Sequence, residues 1–230
     1  MFMMFDPLIN ILLIYLIAAV LPAVLLVNYA SSQPSLHKQP TGIMMHLLWE
    51  GVIAALIALV LEWLMQQAIT GYKIASWELY MGVGIVEEGA KLFILKRETW
   101  DSPYFETRYD GILYAVFVSL GFAAFENVKY VMAYGLSVAV TRALLAIPAH
   151  MAFAVLMGMF YGRAKQASCR RKHALATFFG ILCYVVPVLL HGAYDSMASV
   201  ETLPFIIIVI IIYFIIFKLM RREALADRFV

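Results

Sequence analysis

Gly84-Ile85-Val86-Glu87-Glu88-Gly89-Ala90-Lys91 sets two adjacent carboxylates and a lysine in the middle of an apolar run that extends from about Trp77 to Leu95. Burying a charge at the centre of such a run costs several kcal/mol unless it is paired, neutralised or turned to water. In a helix Glu87 and Lys91 are four residues apart and share a face, so an ion pair lowers the cost of both. Glu88 lies about 100° round the helix and needs a partner from elsewhere. Other apolar segments each contribute an isolated acid or histidine, and these are its candidate partners.

The 230 residues are 64% hydrophobic and only 14% charged, against an apolar share of about 45 to 50% in soluble domains. The chain reads as an all-α, polytopic membrane helix bundle forming one integral domain, residues 1 to 230, in the cell membrane. A net charge of +2 gives no footing for nucleic acid, and the basic residues cluster in inter-helix loops, where topology explains them. Cys169 falls in a basic loop and Cys183 inside an apolar segment, so neither a disulfide nor a CxxC metal pattern is expected.

Seven spans are expected. The first runs from about Pro7 to Val27, long enough to cross a hydrocarbon core of about 30 Å. A signal peptide would open on basic residues, whereas Met1-Phe2-Met3-Met4-Phe5-Asp6 does not, so a retained helix is expected. The polar stretch Ser31 to Thr41 is a loop, the second span covers about Gly42 to Ile69, and the Glu-Glu segment is the third. After a charged loop broken by Pro103 come about Asp110 to Tyr134, Val138 to Arg163, Ala174 to Ser196 and Leu203 to Leu219.

With that count, one side collects Lys38, then Lys96, Arg97 and Arg108, then Arg163, Lys165, Arg170, Arg171 and Lys172, and finally Lys218, Arg221, Arg222 and Arg228. The opposite side has Lys73. The excess of Lys and Arg in cytoplasmic loops therefore places the N-terminus outside and the C-terminus in the cytoplasm. Measured from the outer helix ends at about 1.5 Å per residue, Glu87 lies roughly 15 Å deep, Glu126 roughly 12 Å, His150 about 18 Å and His191 about 8 Å. Four helices thus aim their unusual residues at one slab in the outer half of the membrane. Small residues every fourth position support a cluster: Ala146, Ala154, Gly158 and Gly162 lie in line with His150, and Gly111, Ala115, Ser119 and Ala123 with Asn127. Such stripes let helix backbones approach closely in lipid.

Acids and histidines gathered at one depth are an inventory for activating water. A carboxylate takes the proton, while the histidines hold a metal or stabilise an oxyanion. His191 and Asp195 share a helix face, a spacing at which Asp195 can fix the imidazole tautomer. Zinc sites combine His with Asp or Glu and keep a position for water, which makes Glu126, His150 and His191 a candidate ligand set for a divalent metal. No HExxH is present, so the usual zinc-protease helix is absent.

Glu87-Glu88-Gly-Ala-Lys91, Phe122-Ala-Ala-Phe-Glu126-Asn127, a lone His150 in the next span and His191-Gly-Ala-Tyr-Asp195 resemble the motif series of the PrsW family of intramembrane proteases. That family is distantly related to the CAAX prenyl endopeptidases, which usually carry His where Glu126 stands. The resemblance covers about residues 80 to 196, within a catalytic core of about 76 to 196. It implies hydrolysis of a peptide bond in a membrane-protein substrate, such as an anti-sigma factor or other single-span protein. Glu87 would be the base with Glu88 beside it; Glu126, His150 and His191 would complete the site, with Asp195, Lys91 and Asn127 in support. A zinc-assisted and a metal-free glutamate mechanism both remain open, as does the oligomeric state.

Three rivals follow from the same residues. A proton-coupled transporter or channel also buries carboxylates and histidines, but it predicts inverted repeats and broken helices, and the sequence displays neither. A non-enzymatic scaffold leaves the polar slab unexplained. A CAAX-type peptidase acts on cytoplasmic prenylated tails, on the side away from the inferred depth. Arg142, near an outer helix end, is expected to snorkel to the interface, with a grip on a substrate carbonyl as the alternative, while Glu50 and Glu62 have no evident partner and His37, His46 and His173 no assigned role.

Overall fold

A computed structural model describes residues 7–199 and 203–230. The Met1 to Asp6 opening, from which a retained leader helix is inferred, lies outside them. Eight α-helices are present among the described residues: α1 (Pro7–Ser31), α2 (Thr41–Ile69), α3 (Ser76–Thr99), α4 (Arg108–Tyr134), α5 (Leu136–Leu144), α6 (Ala146–Cys169), α7 (His173–Ala198) and α8 (Leu203–Leu225). Among the described residues, six stretches are long and apolar enough to cross a membrane, counting α5 and α6 together. The seventh of the expected spans is α3, whose central charges hold its hydropathy down while its 24 residues give a length of about 36 Å. The chain is a multi-pass membrane protein.

α4 is the hub. Every residue from Tyr109 to Ala123 is buried, because α1, α2, α3 and α6 pack around it. Its start is fixed by a capping box in which the Thr107 amide donates to Asp110 Oδ2 at 2.7 Å and the Asp110 amide to Thr107 Oγ1 at 3.3 Å. The predicted small-residue stripes meet here. A Cβ on Gly158 would stand 2.4 Å from Gly111 O and from Ile112 Cα, and one on Gly162 would stand 2.3 Å from Arg108 O. Gly51 and Gly121 bring α2 against α4 in the same way, since a Cβ added to either would stand 2.1 Å from a backbone carbonyl oxygen of the other helix. In contrast, α1 and α8 turn large apolar side chains such as Ile17, Leu25, Ile210 and Phe214 outward, as helices on a lipid-facing rim do.

One expected span is two helices. The run from Val138 to Arg163 breaks at Leu145, between α5 and α6. Pro148 has no N–H to give the carbonyl of Leu144, and its ring crowds that turn. The Tyr213 hydroxyl of α8 donates to the Leu145 carbonyl and holds the break. α4 passes into α5 through Gly135 at φ 86°, a left-handed conformation that a side chain disfavours.

The loops sort to two ends. Leu36 N donates to Asp227, Gln39 to the Tyr104 carbonyl, Lys165 to the Trp100 carbonyl and Gln166 to the Phe229 carbonyl. The tail pairs with the α3–α4 loop through Arg108 N to Arg228 O and Val230 N to Glu106 O, both at 2.9 Å. The loops after α1, α3 and α6 and the C-terminus therefore share one end.

Candidate active site

α3 supplies the floor of the site. Lys91 Nζ donates to Glu88 Oε1 at 2.7 Å and to Glu87 Oε2 at 3.2 Å, so the lysine serves both carboxylates and not Glu87 alone. It also stands 3.1 Å from His150 Nδ1 and 4.0 Å from the centre of the Phe122 ring. An ammonium only donates, so His150 Nδ1 accepts. The imidazole proton is then on Nε2, which donates to Glu126 Oε2 at 3.0 Å. Ser119 anchors the same turn of α6 by donating to the His150 carbonyl at 3.0 Å.

His191 on α7 closes the other side. Its Nδ1 is 2.8 Å from Glu88 Oε1, while Nε2 is 3.4 Å from Asp195 Oδ2 and 3.9 Å from Glu87 Oε2. Phe153 stacks on the ring, with centroids 4.9 Å apart and planes 23° from parallel. The close approach of α3 and α7 that makes this possible runs through Gly84, where a Cβ would stand 3.1 Å from the Val188 carbonyl.

Glu126 looks the other way as well. Arg142 Nη2 donates to its Oε2 at 2.9 Å, Arg142 Nε donates to Asn127 Oδ1 at 3.1 Å, and the guanidinium lies 3.9 Å from the Tyr130 ring centre. Asn127 Nδ2 in turn donates to the Ala19 carbonyl of α1 at 2.7 Å. One chain of polar contacts thus runs from α1 through Asn127, Arg142, Glu126, His150, Lys91 and Glu88 to His191 and Asp195. The structure brings together all eight residues singled out in the sequence. Ligand atoms of Glu87, Glu88, His150 and His191 lie within 4.8 Å of one another, and Glu126 stands one contact further out, on the far nitrogen of His150.

A cavity of about 790 Å³ opens over this floor, within the usual range of about 300 to 1,000 Å³ for ligand sites. Glu87, Glu126, His150, His191 and Asp195 line it; Glu88 and Lys91 do not. Glu88 and Lys91 sit behind Glu87, at 0% and 1% exposure. The walls add Glu62 and Lys129, Tyr80, Tyr130, Tyr194 and Phe153.

Arg142 corrects the snorkelling expectation. It turns into the cavity because α5 is a separate helix whose direction the uninterrupted apolar run does not disclose. Glu62 lines the cavity, and Glu50 pairs with Arg97 at 2.6 Å, so both now have surroundings that explain them. The signal for Arg142 was Pro148, six residues on.

A family model described as PrsW family intramembrane metalloprotease matches residues 39–220. Protease PrsW of Geobacillus kaustophilus is 32% identical over 77% of this chain and 76% of its own length. Protease PrsW of Clostridioides difficile is 30% identical over 87% and 86%, and that of Bacillus subtilis 29% over 79% and 81%. No solved structure matches the chain. With the motif residues converging on one cavity and the match running across most of the sequence, the chain belongs to the PrsW family of intramembrane proteases.

Proposed function

We propose that the chain cleaves a single-span membrane protein, with Glu87 as general base on the attacking water. The observation that carries this assignment is the division of labour between the two glutamates: Glu87 reaches the cavity, while Glu88 is sealed behind it. Glu87 takes a proton from water as the oxygen attacks the scissile carbonyl. Glu88 and Lys91 fix the Glu87 carboxylate from behind, through the Lys91 bonds to both acids. The Arg142 guanidinium, which keeps N–H groups beyond those it gives Asn127 and Glu126, is the donor at the cavity wall placed to meet charge that develops on the carbonyl oxygen. The C–N bond then breaks, and the proton passes to the departing amine by way of His191, which faces Glu87 on the same nitrogen that Asp195 orients. The orientation with the C-terminus in the cytoplasm puts this cavity in the outer half of the bilayer, where an extended segment of a membrane-crossing substrate would be met.

The family's description implies a metal. The fit of one depends on the donors at the floor, and these do not fit it: Lys91 Nζ contacts Glu87, Glu88 and His150, three of the four groups that would hold the ion.

The test is cleavage of a panel of co-expressed single-span reporters by wild type and by Glu87→Gln, with folding followed by thermal unfolding. Loss of general-base catalysis lowers the rate by about 10²- to 10⁴-fold in a variant that still unfolds cooperatively. A well-folded Glu87→Gln enzyme that cleaves at the wild-type rate removes Glu87 from the role.

A further inference from the structure

We propose that Lys91 Nζ is the resident cation of this site, holding by hydrogen bonds the position that a catalytic metal ion would need, so that the protein works with the lysine and excludes the metal. The inference rests on the peptidase reading above and deepens it by naming what stabilises the two glutamates.

Lone pairs narrow the ligand set. An imidazole nitrogen has one lone pair, and a metal ligand must offer it free. His150 Nδ1 spends its lone pair on Lys91 Nζ at 3.1 Å, and Nε2 spends its proton on Glu126 at 3.0 Å, so His150 has nothing left for an ion. His191 donates Nδ1 to Glu88 at 2.8 Å, which leaves Nε2, 3.4 Å from Asp195 Oδ2 and 3.9 Å from Glu87 Oε2, as the one imidazole nitrogen with a lone pair to offer. Glu88 Oε1 already accepts from both Lys91 and His191. What remains is Glu88 Oε2, buried with no hydrogen-bond partner among the described residues, and the second oxygen of Glu87. With His191 Nε2 these reach the three protein ligands of a catalytic zinc, but both carboxylates are already held by the Lys91 ammonium, and Glu88 does not open on the cavity.

Charge points the same way. A divalent ion against these donors would sit beside an ammonium that is 1% exposed, where like charges a few ångströms apart in a poorly polarisable medium repel strongly. Lys91 cannot withdraw to solvent: it emerges from the centre of α3, is capped by the Phe122 face at 4.0 Å, and is among the largest fully buried side chains. The geometry is that of a cation site already satisfied, with two carboxylates, an imidazole and an aromatic face around one nitrogen. Lys91 is in this sense a positioning residue. It holds Glu87 toward the cavity and fixes the tautomer by which His150 presents its proton to Glu126.

Metal content reads this without any substrate, so its outcome is independent of whether the cleavage assay succeeds. Tag-free full-length protein in detergent is incubated with excess Zn²⁺, desalted, and its metal measured by mass spectrometry. Wild type is expected to retain less than about 0.1 zinc per chain and to show no shift in unfolding temperature with Zn²⁺, since an ion that binds the folded state raises it. Lys91→Met, which keeps the length and removes the charge, frees His150 Nδ1 and Glu88 Oε1 and is expected to gain about one zinc per chain with a matching rise in unfolding temperature. Lys91→Arg retains a cation and stays zinc-free. About one zinc per wild-type chain, lost in His150→Ala and in His191→Ala, overturns the proposal. A folded Lys91→Met that binds no zinc overturns the claim that the lysine is what keeps the ion out. Should Lys91→Met fail to fold, the wild-type stoichiometry decides alone.

Discussion

Arg142 joins the two halves of the site. Its guanidinium bonds Glu126 and Asn127 at once and stands 3.9 Å from the centre of the Tyr130 ring, so it fixes Glu126 between a cation and the His150 ring. Arg142→Gln leaves a nearly buried carboxylate without its counter-charge, which costs about 3 kcal/mol. A fall of several degrees in unfolding temperature, together with a loss of reporter cleavage, is expected. Arg142→Lys restores the charge but not the two-pronged contact, so its unfolding temperature should lie between those of Arg142→Gln and wild type; a Lys variant no better than Gln would mean that geometry, not charge, is what Glu126 needs. At this scale the sequence spoke clearly wherever a charge interrupted an apolar run: Glu87, Glu88, Lys91, Glu126, His150 and His191 stand out because lipid makes them costly. It pointed Arg142 to the interface, because a charge at a span end is ordinary there, and gave no sign that Arg142 is the partner of Glu126. Only the direction of α5 shows otherwise.

Helix packing sets the distances on which that chemistry depends. α4 and α6 touch backbone to backbone along Gly111, Gly158 and Gly162, and Glu126 and His150 meet because those two helices run so close. Gly158→Ala puts a methyl group 2.4 Å from the backbone of α4, where no side-chain rotation relieves the clash. Forcing the helices apart costs about 1 to 3 kcal/mol and pulls His150 from Glu126, so lower stability and slower cleavage should appear together. Gly180→Ala is the control. Nothing lies within 4 Å of its added methyl, and replacing glycine in a helix gains about 0.5 to 1 kcal/mol. Equal unfolding temperatures for the two variants would show that the α4–α6 contact does not limit stability. The stripes were legible in the sequence because four-residue spacing has one geometric meaning in a helix. The break at Leu145 was harder to see, because a proline near the start of a helix is tolerated when it begins one and disruptive when it interrupts one, and hydropathy alone does not tell the two apart.

The whole molecule presents two dissimilar ends. One gathers the basic loops and the tail, tied together by Asp227, Gln166 and the pairing of Arg228 and Val230 with the α3–α4 loop. The other carries the short turn after α2 and the α4–α5 junction, with Lys73 as its loop cation. The excess of Lys and Arg assigns the first end to the cytoplasm, and this can be read from the protein's own thiols. Cys169 is exposed at the basic end, whereas Cys183 is buried. In intact cells a membrane-impermeant maleimide should leave wild type unlabelled, and permeabilisation should expose Cys169. Moving the thiol to the opposite end, as Tyr72→Cys in a Cys169→Ser background, should give labelling without permeabilisation, since Tyr72 is 76% exposed in the α2–α3 turn. The two variants report on opposite ends of one odd-numbered bundle, so their accessibilities must be reciprocal. Labelling of Cys169 in intact cells with protection of the residue 72 thiol would invert the orientation, move the cavity to the cytoplasmic half and direct the search for substrates there.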